Sequence, residues 1–240
     1  MEAIITLLPG DGIGPEVTAS ARRALEHVAD RFGHQFDFRE ELIGGAAIDA
    51  MGDPLPPGTV ESCKAADAVL LGAVGGPKWS DPNAKVRPEQ GLLGLRALLG
   101  VYANIRPVTV YAELAGASPL KAEKLAGIDM LVIRELTGGI YFGEKTRDAT
   151  SASDLCTYTV PEIESIVRVA ARLAGERRGK LCSVDKANVL VTSRLCREVT
   201  NRVMAVEIPG IELENQLVDA AAKQHLSRPA HFDGIVTVNM

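Results

Sequence analysis

Ala3-Ile-Ile-Thr-Leu-Leu-Pro-Gly-Asp-Gly-Ile-Gly-Pro-Glu16 is the stretch of sequence that decides the fold. Its apolar first half predicts a strand, and Pro9-Gly10 predicts the turn that follows. Pro15 and Glu16 predict the first turn of a helix, because proline is tolerated there and glutamate suits the positive end of the helix dipole. A strand that leads through a glycine-rich turn into a helix is typical of an α/β fold.

The same alternation of strands and helices continues along the chain. Residues 67–71 predict a second, buried strand, which ends in the glycine-rich loop 72–77. Further strands are predicted over residues 101–108, 128–133, 180–184, 213–217 and 234–238. Further helices are predicted over residues 118–125, 163–174, 192–205 and 219–226. This order implies a largely parallel sheet, while the polar, non-periodic residues 138–158 predict either a mobile loop or an extended arm that pairs with a partner.

Composition and charge restrict the class of protein. The 240 residues are 46% hydrophobic and carry a net charge of −5 without a basic stripe, which argues against nucleic acid as a partner. The longest apolar run, residues 68–74, is too short to span a bilayer, and the N-terminus has no signal-peptide pattern. The four cysteines show no CxxC spacing, so we expect reduced thiols and a cytoplasmic location without membrane association.

The turn after the first strand is not a Rossmann fingerprint. Gly10-Asp-Gly-Ile-Gly-Pro15 has its third glycine at position 14, one residue too early for GxGxxG. A tight strand-to-helix turn and a nucleotide contact both fit this spacing. We therefore predict an α/β fold that is not of the Rossmann type.

Several ionisable residues lie at the ends of predicted elements. Arg96, Arg106 and Arg134 could together bind carboxylates, because the planar guanidinium forms bidentate hydrogen bonds with them. A lone arginine is most often a solvated surface residue, but three at element ends favour a clamp. Lys186 follows an apolar strand, where it suits either an acid–base role or a surface position.

Two further residues, Tyr141 and Asp219, fit ordinary structural roles. Tyr141, after a pair of glycines, also fits a half-buried packing role. Asp219 fits a helix N-cap, and a role as metal ligand would require more carboxylates nearby, because Mg²⁺ and Mn²⁺ prefer several oxygen ligands.

Five segments together resemble the isocitrate/isopropylmalate family of β-decarboxylating dehydrogenases. They are Leu8-Pro-Gly-Asp-Gly-Ile-Gly-Pro-Glu16, Gly91-Leu-Leu-Gly-Leu-Arg96, Asn104-Ile-Arg-Pro107, Arg134-Glu-Leu-Thr-Gly-Gly-Ile-Tyr-Phe-Gly-Glu144 and Ser183-Val-Asp-Lys-Ala-Asn188. The resemblance implies an open α/β/α sandwich from which the C-terminal third of the family fold is absent. Residues 1–101 are then the first half of a large cofactor-binding domain. Residues 102–240 are a central domain with substrate-site residues and a dimer-forming arm at about 138–159.

The resemblance also implies a role for individual residues. The implied catalytic residues are Tyr141, as the acid that protonates the enol, and Lys186, as the base for the 2-hydroxyl, acting across a dimer interface. The implied substrate-binding residues are Leu92, Leu93, Arg96, Arg106 and Arg134. The implied cofactor-binding residues are Gly75, Gly76 and Glu89 for NAD, with Asp219 as one ligand of Mg²⁺ or Mn²⁺.

The implied reaction is the NAD-dependent oxidative decarboxylation of 3-isopropylmalate to 2-oxoisocaproate in leucine biosynthesis, by a homodimer with shared active sites. Leu92 and Leu93 favour this substrate, because an apolar pocket gains by burying the isopropyl group. Isocitrate, tartrate and homoisocitrate stay alternatives within the family, and so does NADP in place of NAD. A non-catalytic paralogue that acts as a dimerising or binding subunit is the alternative of another class.

The sequence departs from the family pattern at several positions. In the family, the remaining metal-binding aspartates and the adenosine loop come after the last strand, and the 240 residues do not contain them. We therefore expect this chain to be weakly active or inactive alone. Val238 stands where the family usually has glutamate. Lys223 and His225 replace apolar residues, which predicts an unpaired charge on a helix face that should be buried.

Overall fold

The protein divides into two compact units, Met1–Gly100 and Val101–Met240. Their structure is taken from a computed structural model that describes residues 1–81 and 83–239. No helix among these residues is both long and apolar enough to cross a membrane.

The first unit is built on a three-stranded parallel sheet with the strand order β2-β1-β3. Its strands and helices are, in chain order, β1 (Glu2–Gly10), α1 (Gly14–Phe32), β2 (Gln35–Glu40), α2 (Gly44–Met51), α3 (Pro57–Ala65), β3 (Ala68–Ala73) and α4 (Pro88–Leu99). The core between sheet and helices contains Leu8, Ile43, Cys63 and Leu95. The strand and helix predicted over residues 3–16 are therefore confirmed, but the strand continues through Pro9 and Gly10, and the turn lies at residues 11–13.

Two surfaces of the first unit are less buried than the sequence predicted. The strand predicted over residues 67–71 is present as β3, but the prediction that it is buried was wrong. It is half-buried, because among the described residues it pairs only with β1. The helical spacing of Val17, Val28 and Phe32 on α1 predicts a buried face, but these side chains are exposed.

The second unit is built on a five-stranded sheet with the strand order β4-β5-β10-β8-β9. Its strands and helices are, in chain order, β4 (Ala103–Thr109), α5 (Ala122–Leu125), β5 (Asp129–Glu135), β6 (Lys145–Arg147), β7 (Ala152–Asp154), α6 (Val160–Gly175), β8 (Lys180–Asp185), α7 (Val191–Glu207), β9 (Glu212–Leu217), α8 (Val218–Ser227) and β10 (Gly234–Thr237). All neighbouring strands in this sheet are parallel except β4 and β5. The predicted α/β class with a largely parallel sheet is therefore confirmed.

The helix predicted over residues 118–125 is shorter than expected. It is helical only over Ala122–Leu125, and a 3₁₀ turn at Ala112–Ala117 precedes it. The backbone of Ser118 is extended, since the following proline disfavours a helical conformation at this residue. Within the irregular segment 138–158, β6 and β7 pair as a short antiparallel hairpin with exposed side chains.

The second unit has two core clusters. One lies between the sheet and the apolar face of α6 and α7, and the other includes Cys182, Phe232 and Ile235. Thr159-Val-Pro-Glu162 matches the sequence pattern of a capping box, and helix α6 begins with one. Thr159 donates from its backbone nitrogen and its hydroxyl to Glu162, both at 2.7 Å. Its buried face includes Ile163, Ile166 and Val167.

The unpaired charge expected on α8 is not present. Lys223 is exposed, so it is solvated rather than buried. His225 is half-buried against the ring of Phe232, with centroids 4.4 Å apart, and burial lowers its pKa, which favours the neutral form. Val238 packs partly buried against the core, where an apolar side chain fits without the charge that the family pattern has.

The four cysteines are free thiols, as expected. Burial raises the pKa of Cys182 and of Cys196 to about 12, so both are held as neutral thiols in the core.

Candidate active site

Three predicted site residues of the second unit, Arg134, Lys186 and Asp219, lie at the carboxyl edge of its parallel strands. Thr237 of β10 stands opposite Arg134 of β5 on one side and opposite Val184 of β8 on the other. Lys186 follows the end of β8, and Asp219 lies in the first turn of α8, directly after β9. Parallel strands end at the same edge of a sheet, and this is where ligands of open α/β sheets bind.

Arg134 and Tyr141 are brought together. The guanidinium carbon of Arg134 lies 5.5 Å from the centroid of the Tyr141 ring, within the range of a cation–π contact. The Tyr141 side chain is 45% exposed, so its hydroxyl is accessible to a ligand. An exposed hydroxyl beside a fixed guanidinium suits proton transfer to a bound anion.

A buried carboxylate shapes the turn between Arg134 and Tyr141. Glu135 is 1% exposed and accepts hydrogen bonds from the backbone nitrogen and hydroxyl of Thr137, both at 2.5 Å, and from the Gly138 nitrogen at 3.0 Å. A buried carboxylate needs such donors because it has lost its hydration. Glu135 therefore fixes the start of the segment that leads to Tyr141.

Lys186 and Asp219 form an ion pair. Lys186 is half-buried, whereas Asp219 is exposed, and the hydrogen bond from Lys186 lowers the pKa of the Asp219 carboxyl. Asp219 is not a helix N-cap, because Leu217 occupies that position without a side-chain cap. The pair brings the predicted base and the predicted metal ligand together.

The residue before Lys186 is also buried and charged. Asp185 is 2% exposed and forms a bidentate ion pair with Arg197 of α7, with both N–O distances at 2.8 Å. It also accepts a hydrogen bond from the Ala187 nitrogen at 2.9 Å. These three bonds hold the backbone on either side of Lys186.

Arg106 lies on β4, beside the strand that carries Arg134. It is exposed, and its Nε donates to the side-chain oxygen of Asn104 at 2.6 Å. Asn104 itself stands opposite Arg134 in the sheet. Arg106 and Arg134 are therefore diagonal neighbours on adjacent strands.

In the first unit, the glycine-rich loop after β3 lies beside Glu89 of α4. A Cβ atom at Gly75 would come within 2.9 Å of the Glu89 carboxylate, and the φ angle of Gly75 is +99°. Only glycine tolerates both conditions. A carboxylate beside an open backbone loop can accept hydrogen bonds from ribose hydroxyls, so these residues fit part of a dinucleotide.

The buried carboxylate of Asp11 holds this loop. It is 3% exposed, and its Oδ2 accepts from the backbone nitrogens of Gly45 and Gly75, both at 2.8 Å. Its Oδ1 accepts from the Ala46 nitrogen at 2.7 Å. Asp11 thus joins the end of β1, the N-terminus of α2 and the loop that contains Gly75 and Gly76.

The remaining predicted residues of the first unit lie on α4. Leu92, Leu93 and Arg96 are half-buried on this helix. Its close approach to the rest of the unit requires Gly91, where a Cβ atom would lie 2.3 Å from the carbonyl oxygen of Pro54.

The structure groups some predicted residues and leaves others apart. It brings Arg134 to Tyr141 and Lys186 to Asp219, but among residues 1–81 and 83–239 no hydrogen bond or ion pair joins one pair to the other. Sequence reasoning did not single out four buried polar residues that support the site, namely Asp11, Glu135, Asp185 and Asn239. A polar residue close to the end of a predicted apolar strand is the sequence signal that could have identified them.

The residues described do not by themselves form a site for a divalent metal. No group of three or more His, Cys, Asp or Glu side chains among them could hold a metal ion, and the Asp219 carboxylate is paired with Lys186. Mg²⁺ and Mn²⁺ prefer several oxygen ligands, so Asp219 alone does not suffice. The metal expected from the sequence stays a prediction.

Comparison with known proteins shows the chain's relatives. Residues 4–240 match the family model of isocitrate/isopropylmalate dehydrogenase. The chain is 54% identical to a 3-isopropylmalate dehydrogenase of Rhodopirellula baltica, with 100% of this chain and 68% of the relative covered. It is 55% identical to one of Anaeromyxobacter dehalogenans, with 100% and 69% covered. A crystal structure of isocitrate dehydrogenase from Methylococcus capsulatus has a TM-score of 0.83 and 30% identity over 99% of this chain and 67% of that one.

Proposed function

The chain belongs to the isocitrate/isopropylmalate dehydrogenase family, and we propose that its reaction is the NAD-dependent oxidative decarboxylation of 3-isopropylmalate to 2-oxoisocaproate, a step of leucine biosynthesis. The observation that carries this proposal is the arrangement of Arg134 with Tyr141, and of Lys186 with Asp219, at one edge of the sheet. Relatives that are 54% and 55% identical carry the name 3-isopropylmalate dehydrogenase, which supports this substrate over isocitrate.

The arginines bind the substrate in this proposal. Arg96, Arg106 and Arg134 bind the malate carboxylates, because each guanidinium can form two parallel hydrogen bonds with a carboxylate. Binding both carboxylates fixes the orientation of the carbons between them. This orientation lowers the entropic part of the reaction barrier.

Lys186 acts as the base for the C2 hydroxyl. In the ion pair with Asp219 the Lys186 side chain is an ammonium, which donates hydrogen bonds but has no lone pair. It must therefore leave Asp219 and release one proton to solvent before its neutral amine can accept the proton of the substrate hydroxyl. The bound dinucleotide supplies the chemistry of hydride acceptance, and Gly75, Gly76 and Glu89 are the residues proposed to bind it. Loss of CO₂ from the neighbouring carbon leaves an enolate, and the Tyr141 hydroxyl then donates its proton to that carbon.

Leu92 and Leu93 are proposed to contact the isopropyl group. Burying its three carbons is worth about 0.8 kcal/mol each, or about 2.4 kcal/mol together, which corresponds to about 50-fold in affinity. Isocitrate has a charged carboxylate at the equivalent position, which an apolar pair would leave without a partner.

Calorimetric titration of the 240-residue chain tests the substrate. We expect 3-isopropylmalate to bind about 50-fold more tightly than malate, which lacks the isopropyl group. The double variant Leu92→Ser/Leu93→Ser should abolish this difference and leave the affinity for malate unchanged. Ala97→Ser, at an exposed position of the same helix, is the matched control. Tighter binding of isocitrate than of 3-isopropylmalate would contradict the proposal.

We also propose a cytoplasmic homodimer in which residues 138–159 form the arm that pairs with the partner subunit. The exposed hairpin of β6 and β7 supports this, because two short strands that pair only with each other gain little stability alone. Light scattering on the purified chain measures its mass, and a monomer at all concentrations would contradict the dimer.

A further inference from the structure

Asn239 lies just beyond β10, and its side chain accepts one hydrogen bond and donates another. It is 2% exposed, its Oδ1 accepts from Nη2 of Arg134 at 2.5 Å, and its Nδ2 donates to the Gly138 carbonyl at 3.0 Å. A side-chain amide can do both because it holds an acceptor and donors in one plane.

The backbone of Asn239 makes two further contacts with the same region. Its carbonyl accepts from the Ile140 nitrogen at 3.3 Å, and its nitrogen donates to the Tyr158 hydroxyl at 2.5 Å. At Gly139, where φ is +80°, an added Cβ atom would lie 2.1 Å from the Asn239 carbonyl oxygen. Residues 138–140, which lead directly to Tyr141, are therefore held tightly against Asn239.

The hydrogen bond to Asn239 leaves most of the Arg134 guanidinium available. A guanidinium has five N–H donors. Among the residues that the structure describes, Asn239 Oδ1 is the one atom that accepts a hydrogen bond from the Arg134 side chain. The remaining donors can form a bidentate contact with a carboxylate while Asn239 fixes the plane of the group.

We propose that Asn239 is a positioning residue that sets the guanidinium of Arg134 and the segment carrying Tyr141 in one fixed arrangement. This inference rests on the proposed function, in which Arg134 binds a substrate carboxylate and Tyr141 donates a proton. Asn239 touches neither the substrate nor the reacting atoms. It couples the carboxylate-binding group to the proton donor.

The test uses three variants of the 240-residue chain. Asn239→Ala removes both side-chain hydrogen bonds. Asn239→Asp keeps an acceptor for Arg134 but removes the donor to Gly138. Tyr158→Phe is the matched control, because it removes a buried hydrogen bond to the backbone of Asn239 and leaves both side-chain bonds in place.

Two readouts separate positioning from a general loss of stability. The first is the ¹⁵N NMR signal of the Arg134 guanidinium, assigned with Arg134→Lys. We expect it to change to that of a freely rotating arginine in Asn239→Ala but not in Asn239→Asp or Tyr158→Phe. The second is calorimetric titration, in which Asn239→Ala should weaken binding of 3-isopropylmalate and of malate equally, by about tenfold or more.

Each outcome decides the inference. An unchanged Arg134 signal in Asn239→Ala overturns it, and so does an unchanged affinity when the signal has changed. If Asn239→Ala does not fold, Asn239→Asp carries the test: because Asp keeps the acceptor for Arg134, a freely rotating Arg134 signal in this variant overturns the inference, and a restricted one supports it. If the unsubstituted chain does not bind 3-isopropylmalate, the proposed function fails, and the NMR signals alone then decide whether Asn239 fixes Arg134.

Discussion

Replacing Asp11 by asparagine should destabilise the first unit by about 1.5–3 kcal/mol. The carboxylate accepts three backbone hydrogen bonds, two at Oδ2 and one at Oδ1. An asparagine that keeps its oxygen at the Oδ2 position retains the bonds from Gly45 and Gly75 and loses the bond from Ala46. Its amide then faces the Ala46 nitrogen, and one lost hydrogen bond to a charged group is worth about 1.5–3 kcal/mol. The opposite orientation loses two bonds and is therefore disfavoured.

Trp79 reports on this region specifically. It is the only tryptophan of the chain, and its ring lies 2.4 Å from where a Cβ atom of Gly45 would be. Urea denaturation followed by tryptophan fluorescence therefore measures unfolding of the first unit. Asp53→Asn is the matched control, because exposed Asp53 accepts one backbone hydrogen bond, from Leu55. This substitution should change the free energy of unfolding by no more than about 0.5 kcal/mol.

Comparing Asp11→Asn with Asp11→Ala tests whether the loss of stability follows the number of hydrogen bonds lost. Asp11→Ala loses all three bonds, so its cost should exceed about 4.5 kcal/mol. Equal unfolding midpoints for Asp11→Asn and Asp53→Asn would show that the buried carboxylate does not support the unit. An alanine variant as stable as the asparagine variant would refute the count of hydrogen bonds.

Two further predictions concern the second unit. Arg197→Met should lower the free energy of unfolding by about 3–5 kcal/mol, because it leaves the buried Asp185 carboxylate without its counter-ion. The double variant with Asp185→Asn should regain part of this loss, as measured by denaturation followed by circular dichroism. Burial lowers the pKa of His225 from its ordinary value of 6.5, so the unfolded chain takes up the proton first and stability should fall as the pH drops below 6.5. His225→Leu should remove this component, and an unchanged pH dependence of the unfolding midpoint would contradict the assignment.

The order of strands and helices could be predicted from the sequence because its signals are local. Proline at the first turn of α1 and the capping box of α6 act on neighbouring backbone groups, and both helices begin where these signals predict. The helix predicted over residues 118–125 is present only over Ala122–Leu125, because the proline after Ser118 disfavours a helical conformation at that residue.

Burial was less predictable because it depends on the rest of the fold. An apolar run such as 67–71 predicts a strand, but the number of neighbouring strands decides how far it is buried. The charge expected on α8 was misjudged for the same reason. The spacing identifies the residues on one helix face, but the packing determines which of them contact the core, and Lys223 does not.

The sequence by itself determined the α/β class and the family, because turn residues, periodicity and the motifs around Arg134 and Lys186 are properties of short segments. The tertiary structure decided which partners the buried polar groups have. Asp11 bonds to Gly75, and Asn239 bonds to both Arg134 and Gly138, across separations of 64, 105 and 101 residues. A hydrogen bond requires its donor and acceptor to lie within about 3 Å, and over such separations only the folded chain brings them together.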